Sequence, residues 1–279
     1  MSQQFTNRAQ LSYRNTIVSS NTVTGEITDV LSMTKTALED SYTVGGRLTY
    51  VVNLINSGTD PLTGLTLTDD LGTGTGDTPL LTFVEGSVYY FINGAAQPAP
   101  TATGGSTLVI TGVSVPAGGN TAVIYETLVN DYASPEIGAT LTNTVTAAGD
   151  GTLTVTASAT LPVTVEAQLS ITKSLSPLLV SGNDSVTYSF VIQNTGNEAA
   201  GTEDDLILTD VFDPVLSGIT VTYNGTAMPA SGYTYDEGTG TFQTTAGAIE
   251  VPAATFVQNE DGTWAITPGE ATLTITGTI

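Results

Sequence analysis

The sequence predicts an all-β protein, two tandem β-sandwich domains preceded by an N-terminal arm with the pattern of a strand. Three observations carry that prediction. Thr, Val, Leu, Ile, Ser and Gly dominate, charged residues make up 11% of the chain, and stretches with helical apolar spacing are hard to find. One succession of strands and turns occurs twice. A length of 279 residues is enough for two cores of sandwich size.

The first copy opens on Leu31-Ser-Met-Thr-Lys35, and Leu169-Ser-Ile-Thr-Lys173 repeats it. Leu48-Thr-Tyr-Val-Val-Asn-Leu-Ile-Asn-Ser-Gly58 and Val186-Thr-Tyr-Ser-Phe-Val-Ile-Gln-Asn-Thr-Gly196 alternate in the manner of a central strand and then break into Asn-x-Gly turns. Leu65-Thr-Leu-Thr-Asp69 matches Leu206-Ile-Leu-Thr-Asp210, and the hairpin signal Asn93-Gly94 matches Asn224-Gly225. Val115-Pro-Ala-Gly118 with Ala122-Val-Ile-Tyr125 corresponds to Thr267-Pro-Gly-Glu270 with Leu273-Thr-Ile-Thr276. The first copy continues through residues 131–140 into a closing strand, Leu141-Thr-Asn143-Thr-Val145-Thr, whereas the second reaches Ile279 without one.

At the other end, Phe5-Thr-Asn7-Arg-Ala9-Gln-Leu11-Ser-Tyr13 has the same apolar-Thr-Asn opening and the same alternation, so Phe5, Thr6, Asn7, Ala9, Leu11 and Tyr13 are expected to form a strand that belongs to a sandwich. Asn7 precedes Lys35 by 28 residues and Asn143 precedes Lys173 by 30, as if one strand and its linker had been moved to the front. The expected organisation is an arm at 1–22, a linker at 23–30, a complete sandwich at 31–160, a linker at 161–168, and a second sandwich at 169–279 that lacks its last strand. Such a sandwich leaves unpaired backbone groups and an apolar slot until a strand is added. With donor and acceptor at opposite ends of the chain, addition between copies propagates head to tail as an open filament. The alternatives are an arm folded back onto its own second domain, which would have to cross the length of the first, and a disordered leader.

With 27 acidic against 5 basic residues the formal charge is −22, which repels nucleic acid and anionic lipid alike. Neither nucleic-acid binding nor membrane insertion is expected, and the expected partner is another copy of the chain. No apolar run reaches the ~20 residues of a membrane span. The start Met-Ser-Gln-Gln-Phe is unlike a signal peptide, so either a leader has been removed or export uses none. The absence of Cys and His removes thiol catalysis, disulfides, imidazole bases and the usual zinc sites. No cofactor is expected.

The chain holds two lysines, Lys35 and Lys173, at equivalent positions on the opening strands. Alternation places Leu31, Met33 and Lys35 on one face, so each lysine points inward, where an ammonium must be paired or neutralised. Each copy offers an Asp on a neighbouring strand, Asp69 or Asp210, and an Asn on the closing strand, Asn143 or the arm's Asn7. Lys, carboxyl and Asn are the parts of a spontaneous isopeptide bond, in which a neutral amine attacks the carboxamide and the acid shuttles protons. Asp70, Glu39 and Glu126 are alternative acids. The alternative to a bond is a buried salt bridge in each copy, with the Asn side chains in ordinary hydrogen bonds.

These residues resemble the Ig-like conserved-repeat domain found in tandem in bacterial and archaeal surface proteins: a Thr-Lys strand, a Thr-Tyr strand ending in Asn-x-Gly, a Thr-Asp strand and a closing Thr-Asn strand. The resemblance covers nearly the whole chain and implies Ig-like sandwiches in a surface or appendage protein; the lack of a leader leaves both a cell-surface pilus and a spore appendage open as the extracellular location. The arrangement is also similar to isopeptide-bonded pilin domains of Gram-positive bacteria. That resemblance implies a bond from Lys35 to Asn143 promoted by Asp69, and an intermolecular one from Lys173 to Asn7 promoted by Asp210. The acid is Asp where such pilins often carry Glu, and no sorting signal follows the second copy, which speaks against sortase attachment.

Other patterns are weaker. Asp69-Asp70 with Asp77, Glu203-Asp204-Asp205, Asp236-Glu237 and Glu260-Asp261 lack calcium-loop spacing and read as solvated loops. Trp264, Tyr89, Tyr90, Tyr233 and Tyr235 could build a sugar platform but more often fill sandwich cores. Gly72-Thr-Gly-Thr-Gly76 lacks the Lys and helix of a phosphate loop. The expected function is a non-enzymatic fibre subunit, with a tandem adhesin that binds a glycan or host protein as the alternative. A carboxylate-based glycoside hydrolase is a distant third, without a sequence signal.

Overall fold

A computed structural model describes residues 3–27, 30–73, 78–149, 153–182 and 184–279. Among them there is no α-helix, only strands and two short 3-10 turns. The chain divides into two units, Met1–Asn130 with Leu141–Leu161, and Asp131–Thr140 with Pro162–Ile279.

The arm forms four strands, β1 (Gln3–Asn7), β2 (Gln10–Tyr13), β3 (Thr16–Ser19) and β4 (Val23–Ile27). They make one long hairpin: β2 pairs with β3 from Tyr13↔Thr16 to Gln10↔Ser19, and β1 pairs with β4 from Asn7↔Val23 to Gln3↔Ile27. Between the two ladders, the Ser20 amide donates to the Ala9 carbonyl at 2.9 Å. The turn is made by Arg14 and Asn15, both at positive φ, the geometry whose twist suits adjoining strands. The expected linker 23–30 is thus corrected over 23–27, where backbone groups find a ladder partner in β1. Residues 28 and 29 lie outside the described residues, as do Gly74, Thr75, Gly76 and Asp77.

The first sandwich contains β5 (Leu31–Ala37), β6 (Arg47–Asn56), β7 (Leu62–Asp69), β8 (Leu81–Phe83), β9 (Tyr89–Ile92), β10 (Ala95–Gln97), β11 (Thr101–Thr103), β12 (Leu108–Val115), β13 (Asn120–Val129), β14 (Thr140–Ala148) and β15 (Thr154–Pro162). One sheet runs β10-β9-β13-β6-β5, with β8 also on β13, and the other runs β11-β12-β7-β14-β15. Period-two alternation fills the space between them: Leu48, Tyr50, Val52 and Leu54 of β6 face in, as do Leu141, Asn143, Val145 and Ala147 of β14. The β9–β10 turn has Asn93 and Gly94 at positive φ, as its Asn-Gly pair predicts.

The second sandwich contains β16 (Leu169–Ser176), β17 (Ser185–Asn194), β18 (Thr209–Val211), β19 (Ser217–Tyr223), β20 (Thr226–Ala227), β21 (Tyr233–Asp236), β22 (Thr241–Thr244), β23 (Thr255–Gln258), β24 (Trp264–Thr267) and β25 (Gly269–Thr278). The sheet β16-β17-β25-β19-β20 repeats β5-β6-β13-β9-β10 of the first copy. Opposite it lie three strands, β18-β22-β21, where the first copy has five; β23 and β24 form a separate hairpin. Phe190, Phe212, Phe242, Leu273 and Ile275 anchor this core. Residues 131–140, expected in the first domain, belong to this unit because Trp264 N–H donates to Asp131 O and the Asn197 side chain donates to Pro135 O.

Candidate functional site

In the first sandwich, β5 is an edge strand whose alternate residues Leu31, Met33 and Lys35 turn inward, with Lys35 opposite Val52 of β6. Strand β7 ends at Asp69, which sits between Leu108 of β12 and Val145 of β14. The two side chains meet in the core: Lys35 Nζ donates to Asp69 Oδ2 at 2.5 Å, and both are shut off from solvent. The Tyr125 hydroxyl donates to the same carboxylate oxygen, and Leu71 N–H donates to Asp69 Oδ1 at 3.0 Å. Lys35 Nζ also lies 4.5 Å from the centroid of the Tyr50 ring, a cation–π contact.

Asn143, one of the inward residues of β14, is fully buried. Its Oδ1 accepts from Gly72 N–H at 3.2 Å. Among the described residues its Nδ2 has no hydrogen-bond partner, nor has the neighbouring Tyr50 hydroxyl, although that hydroxyl is close enough to the carboxamide to be influenced by it. A buried amide donor without an acceptor costs about 1–3 kcal/mol and is rare enough to need a reason. Burial lowers the Lys35 pKa against the opposing pull of Asp69 and Asp70, and burial pushes the Tyr50 and Tyr125 hydroxyls up.

Lys35, Asp69 and Asn143 are the groups that the expected isopeptide reaction would use. Passing the Lys35 proton across the 2.5 Å hydrogen bond leaves a neutral amine beside a carboxylic acid. Attack of that amine on the Asn143 carboxamide carbon would form a C–N bond; the acid would give its proton to Nδ2, the bond from the carboxamide carbon to Nδ2 would break to release ammonia, and the carboxylate would take up the proton shed by the attacking nitrogen. The product would be one amide, and the departing atom would be the one that lacks a partner.

The second copy has the same pair in a more open setting. Lys173 Nζ donates to Asp210 Oδ2 at 2.5 Å and lies over the rings of Tyr188, Phe190 and Phe212 at 4.6, 5.4 and 5.5 Å. Yet the Lys173 side chain is 40% exposed where that of Lys35 is 0%. Leu169 and Ile171 are 42% and 56% exposed, against 5% and 9% for Leu31 and Met33. β18 pairs with β22 on one side and, among the described residues, with no strand on the other. Beside this edge lies a groove of about 320 Å³ lined by Leu169, Ile171, Ile192, Leu206, Leu208 and Ile249.

No protein-family model matches the chain, and no curated protein matches it either. Among solved structures it is similar to the major pilin subunit of Bacillus cereus, at 9% identity and a TM-score of 0.35 over 95% of this chain and 73% of that one. It is similar to a C-terminal fragment of the major pilin of Streptococcus agalactiae, at 12% identity and a TM-score of 0.37 over 80% and 79% of the two chains. It is also similar to the collagen-binding domain of a Staphylococcus aureus adhesin, at 13% and 0.30 over 49% and 98%. Pilin and adhesin domains are therefore among its structural neighbours. At such identities and scores they say nothing of what this chain does.

The other sequence candidates are engaged elsewhere. Asp70 Oδ1 accepts from Gly72 and Thr144 N–H, Glu39 accepts from Thr49 N–H, and Glu126 pairs with Arg47 at 2.7 Å, which leaves Asp69 as the acid on Lys35. Asp236 and Asp261 accept hydrogen bonds within their own turns, which hold both carboxyls below the usual range. Among the described residues no group of three or more acidic side chains is placed to hold a metal. Tyr90 is bonded to Ser114, Tyr233 and Tyr235 pack on the second core, and Tyr89 is exposed. Asn7 stands opposite Val23 in the arm. Sequence reasoning missed Tyr125 and Tyr50 as neighbours of the lysine; the signal was a hydroxyl-bearing residue at an inward position of each central strand.

Proposed function

We propose that the protein is a non-enzymatic subunit of an extracellular fibre, on a cell or spore surface, and that it polymerises head to tail. The arm of one copy completes the second sandwich of the next, and Lys-to-Asn amides, Lys35–Asn143 within a copy and Lys173–Asn7 between copies, reinforce the chain. The observation that carries this reading is the contrast between equivalent strands. Leu31, Met33 and Lys35 are buried in a sandwich whose second sheet includes β14 and β15, while Leu169, Ile171 and Lys173 lie open near an edge of β18 that no described strand pairs. The arm has the Thr-Asn opening of β14 and exposes Phe5, Leu11 and Tyr13. Burying one such large apolar side chain contributes roughly 1.5–3 kcal/mol, so several together favour capture of the arm.

The orphaned Asn143 Nδ2 supports the bond within the first sandwich, since amide formation removes that atom. The test is peptide-level mass spectrometry on assemblies boiled in denaturant. A ladder of covalent oligomers, with Asn7 joined to Lys173 and one ammonia lost per bond, is the expected result. A native protein that stays monomeric at full unmodified mass would sink both assembly and cross-linking.

A further inference from the structure

The first sandwich is closed by two strands, not one. β15 lies on the outer edge of β14, and the Thr142 and Thr160 hydroxyls hydrogen-bond across the pair, as do those of Thr144 and Ser158. Leu161, on β15, is buried. The arm repeats this plan. Its first strands carry the apolar-Thr-Asn opening and the alternation of β14, its return strands β3 and β4 pair with them as β15 pairs with β14, and Thr6 stands opposite Thr24 as Thr142 stands opposite Thr160. Phe5, Ala9, Leu11, Tyr13, Val18 and Val23 share one face of the arm by register, while Thr6, Arg8, Gln10, Ser12 and Thr24 share the other. The Phe5 ring lies across Gly25, where a Cβ would come within 2.3 Å of it.

An isolated two-stranded hairpin with one apolar face is marginal in water and needs a third strand. A single inserted strand, in turn, would leave its own outer edge unpaired and repeat the defect that it cures. We infer that the element donated between copies is the whole hairpin, β1 to β4, entering the groove beside β18 as a preformed two-stranded unit. The inference rests on the fibre reading above.

Carrying the β14–β7 register over residue by residue sets Ala9 opposite Asp210, Gln10 opposite Thr209, Leu11 opposite Leu208 and Ser12 opposite Ile207, with Asn7 on the face turned towards Lys173. Phe5 then takes the place of Leu141 and Leu11 that of Ala147, larger side chains for the groove that Ile171, Leu206, Leu208 and Ile249 line.

The absence of cysteine from the chain makes the test direct. In the full-length protein, Thr6→Cys with Thr24→Cys locks the hairpin on oxidation at positions on its polar face. Polymerisation is followed by light scattering and electron microscopy, oxidised against reduced, beside Thr24→Pro, which breaks the β1–β4 ladder, and Phe5→Asp, which spoils the donor face. Circular dichroism reports whether the sandwiches stay folded. Expected are equal polymerisation of locked and unlocked protein, and at least a tenfold loss for Thr24→Pro and for Phe5→Asp. A locked protein that fails where its reduced form polymerises, or a Thr24→Pro protein that polymerises normally, overturns hairpin donation in favour of a single strand. Normal polymerisation of Phe5→Asp overturns the fibre reading itself.

Discussion

Strands β5 and β16 open with Leu-Ser-Met-Thr-Lys and Leu-Ser-Ile-Thr-Lys, pair with the next strand in the same register, and end in opposite environments. Met33 is buried and Ile171 is open to solvent, although isoleucine is the more apolar of the two. The difference lies in the facing sheet, which has five strands, β11-β12-β7-β14-β15, in the first sandwich and, among the described residues, three, β18-β22-β21, in the second. Burial is thus a property of the partner rather than of the strand. A lysine tolerated in both places is in one of them a core residue and in the other a partly exposed group.

The largest test of that contrast is a charge at the equivalent apolar positions. Met33→Asp should unfold or severely destabilise the first sandwich, whereas Ile171→Asp should leave the subunit folded and abolish assembly; circular dichroism and electron microscopy separate the two outcomes. If Ile171→Asp assembled normally, the groove would not be where copies meet.

Next in size is loss of the bond proposed for the first sandwich. Asn143→Ala should restore the mass of one ammonia relative to the mature protein after allowance for the side chain. It should also release about 4–5 kcal/mol of loop-closure stabilisation for a loop of roughly 100 residues, a drop in thermal midpoint on the order of 15 °C by calorimetry. Lysine replacement should then differ between the copies. In an Asn143→Ala background Lys35→Met strands the Asp69 carboxylate and should cost about 3–5 kcal/mol. Lys173→Met in unassembled protein removes a partly exposed pair and should cost about 0–1 kcal/mol. Equal losses would erase the distinction.

Tyr125→Phe removes the hydroxyl from Asp69 and should cost about 1.5–3 kcal/mol. Its counterpart opposite Tyr188 is Ile275, so no equivalent loss exists in the second copy.

The smallest effect is on pH. In the Asn143→Ala protein Lys35 stays a free amine, and because burial lowers its folded pKa the unfolded chain binds the proton more tightly. Stability should therefore rise with pH from that folded value towards the ordinary lysine value of 10.5. Tyr50 and Tyr125 act the other way: their raised folded pKa values give stability that is full below the ordinary tyrosine value of 10.0 and lost above it. Thermal midpoints should climb up to about pH 10 and then decline, and the climb should vanish in the Lys35→Met double variant.

Much of this was legible because strand alternation has a period of two and the repeat sets two copies side by side. The inward Lys35 and the Asn-Gly turns follow from pattern alone, whereas Asp210, expected on a central strand, lies on β18 at the end of its sheet. The return half of the arm was not legible. Its turn is Arg14-Asn15 rather than Asn-Gly, Ser19-Ser-Asn-Thr22 reads as a loop, and Gly25 interrupts a short strand. Nor could the sequence show Tyr125 on Asp69, since that contact joins strands of opposite sheets and needs the packing between them. The attachment of residues 131–140 to the second unit depends on Trp264 and Asn197, more than sixty residues away for the nearer of the two pairs.

The lysines stand on the first strands and the Asn residues on the closing ones, and this decides where tension would run in a pulled filament. With both bonds made, force passes from Asn7 along 28 residues to Lys35, crosses to Asn143, and travels 30 residues to Lys173 and the next copy's arm. The bulk of each sandwich hangs beside that line as a side loop. Stretching would strain amides and linkers while the folded cores bore almost no load.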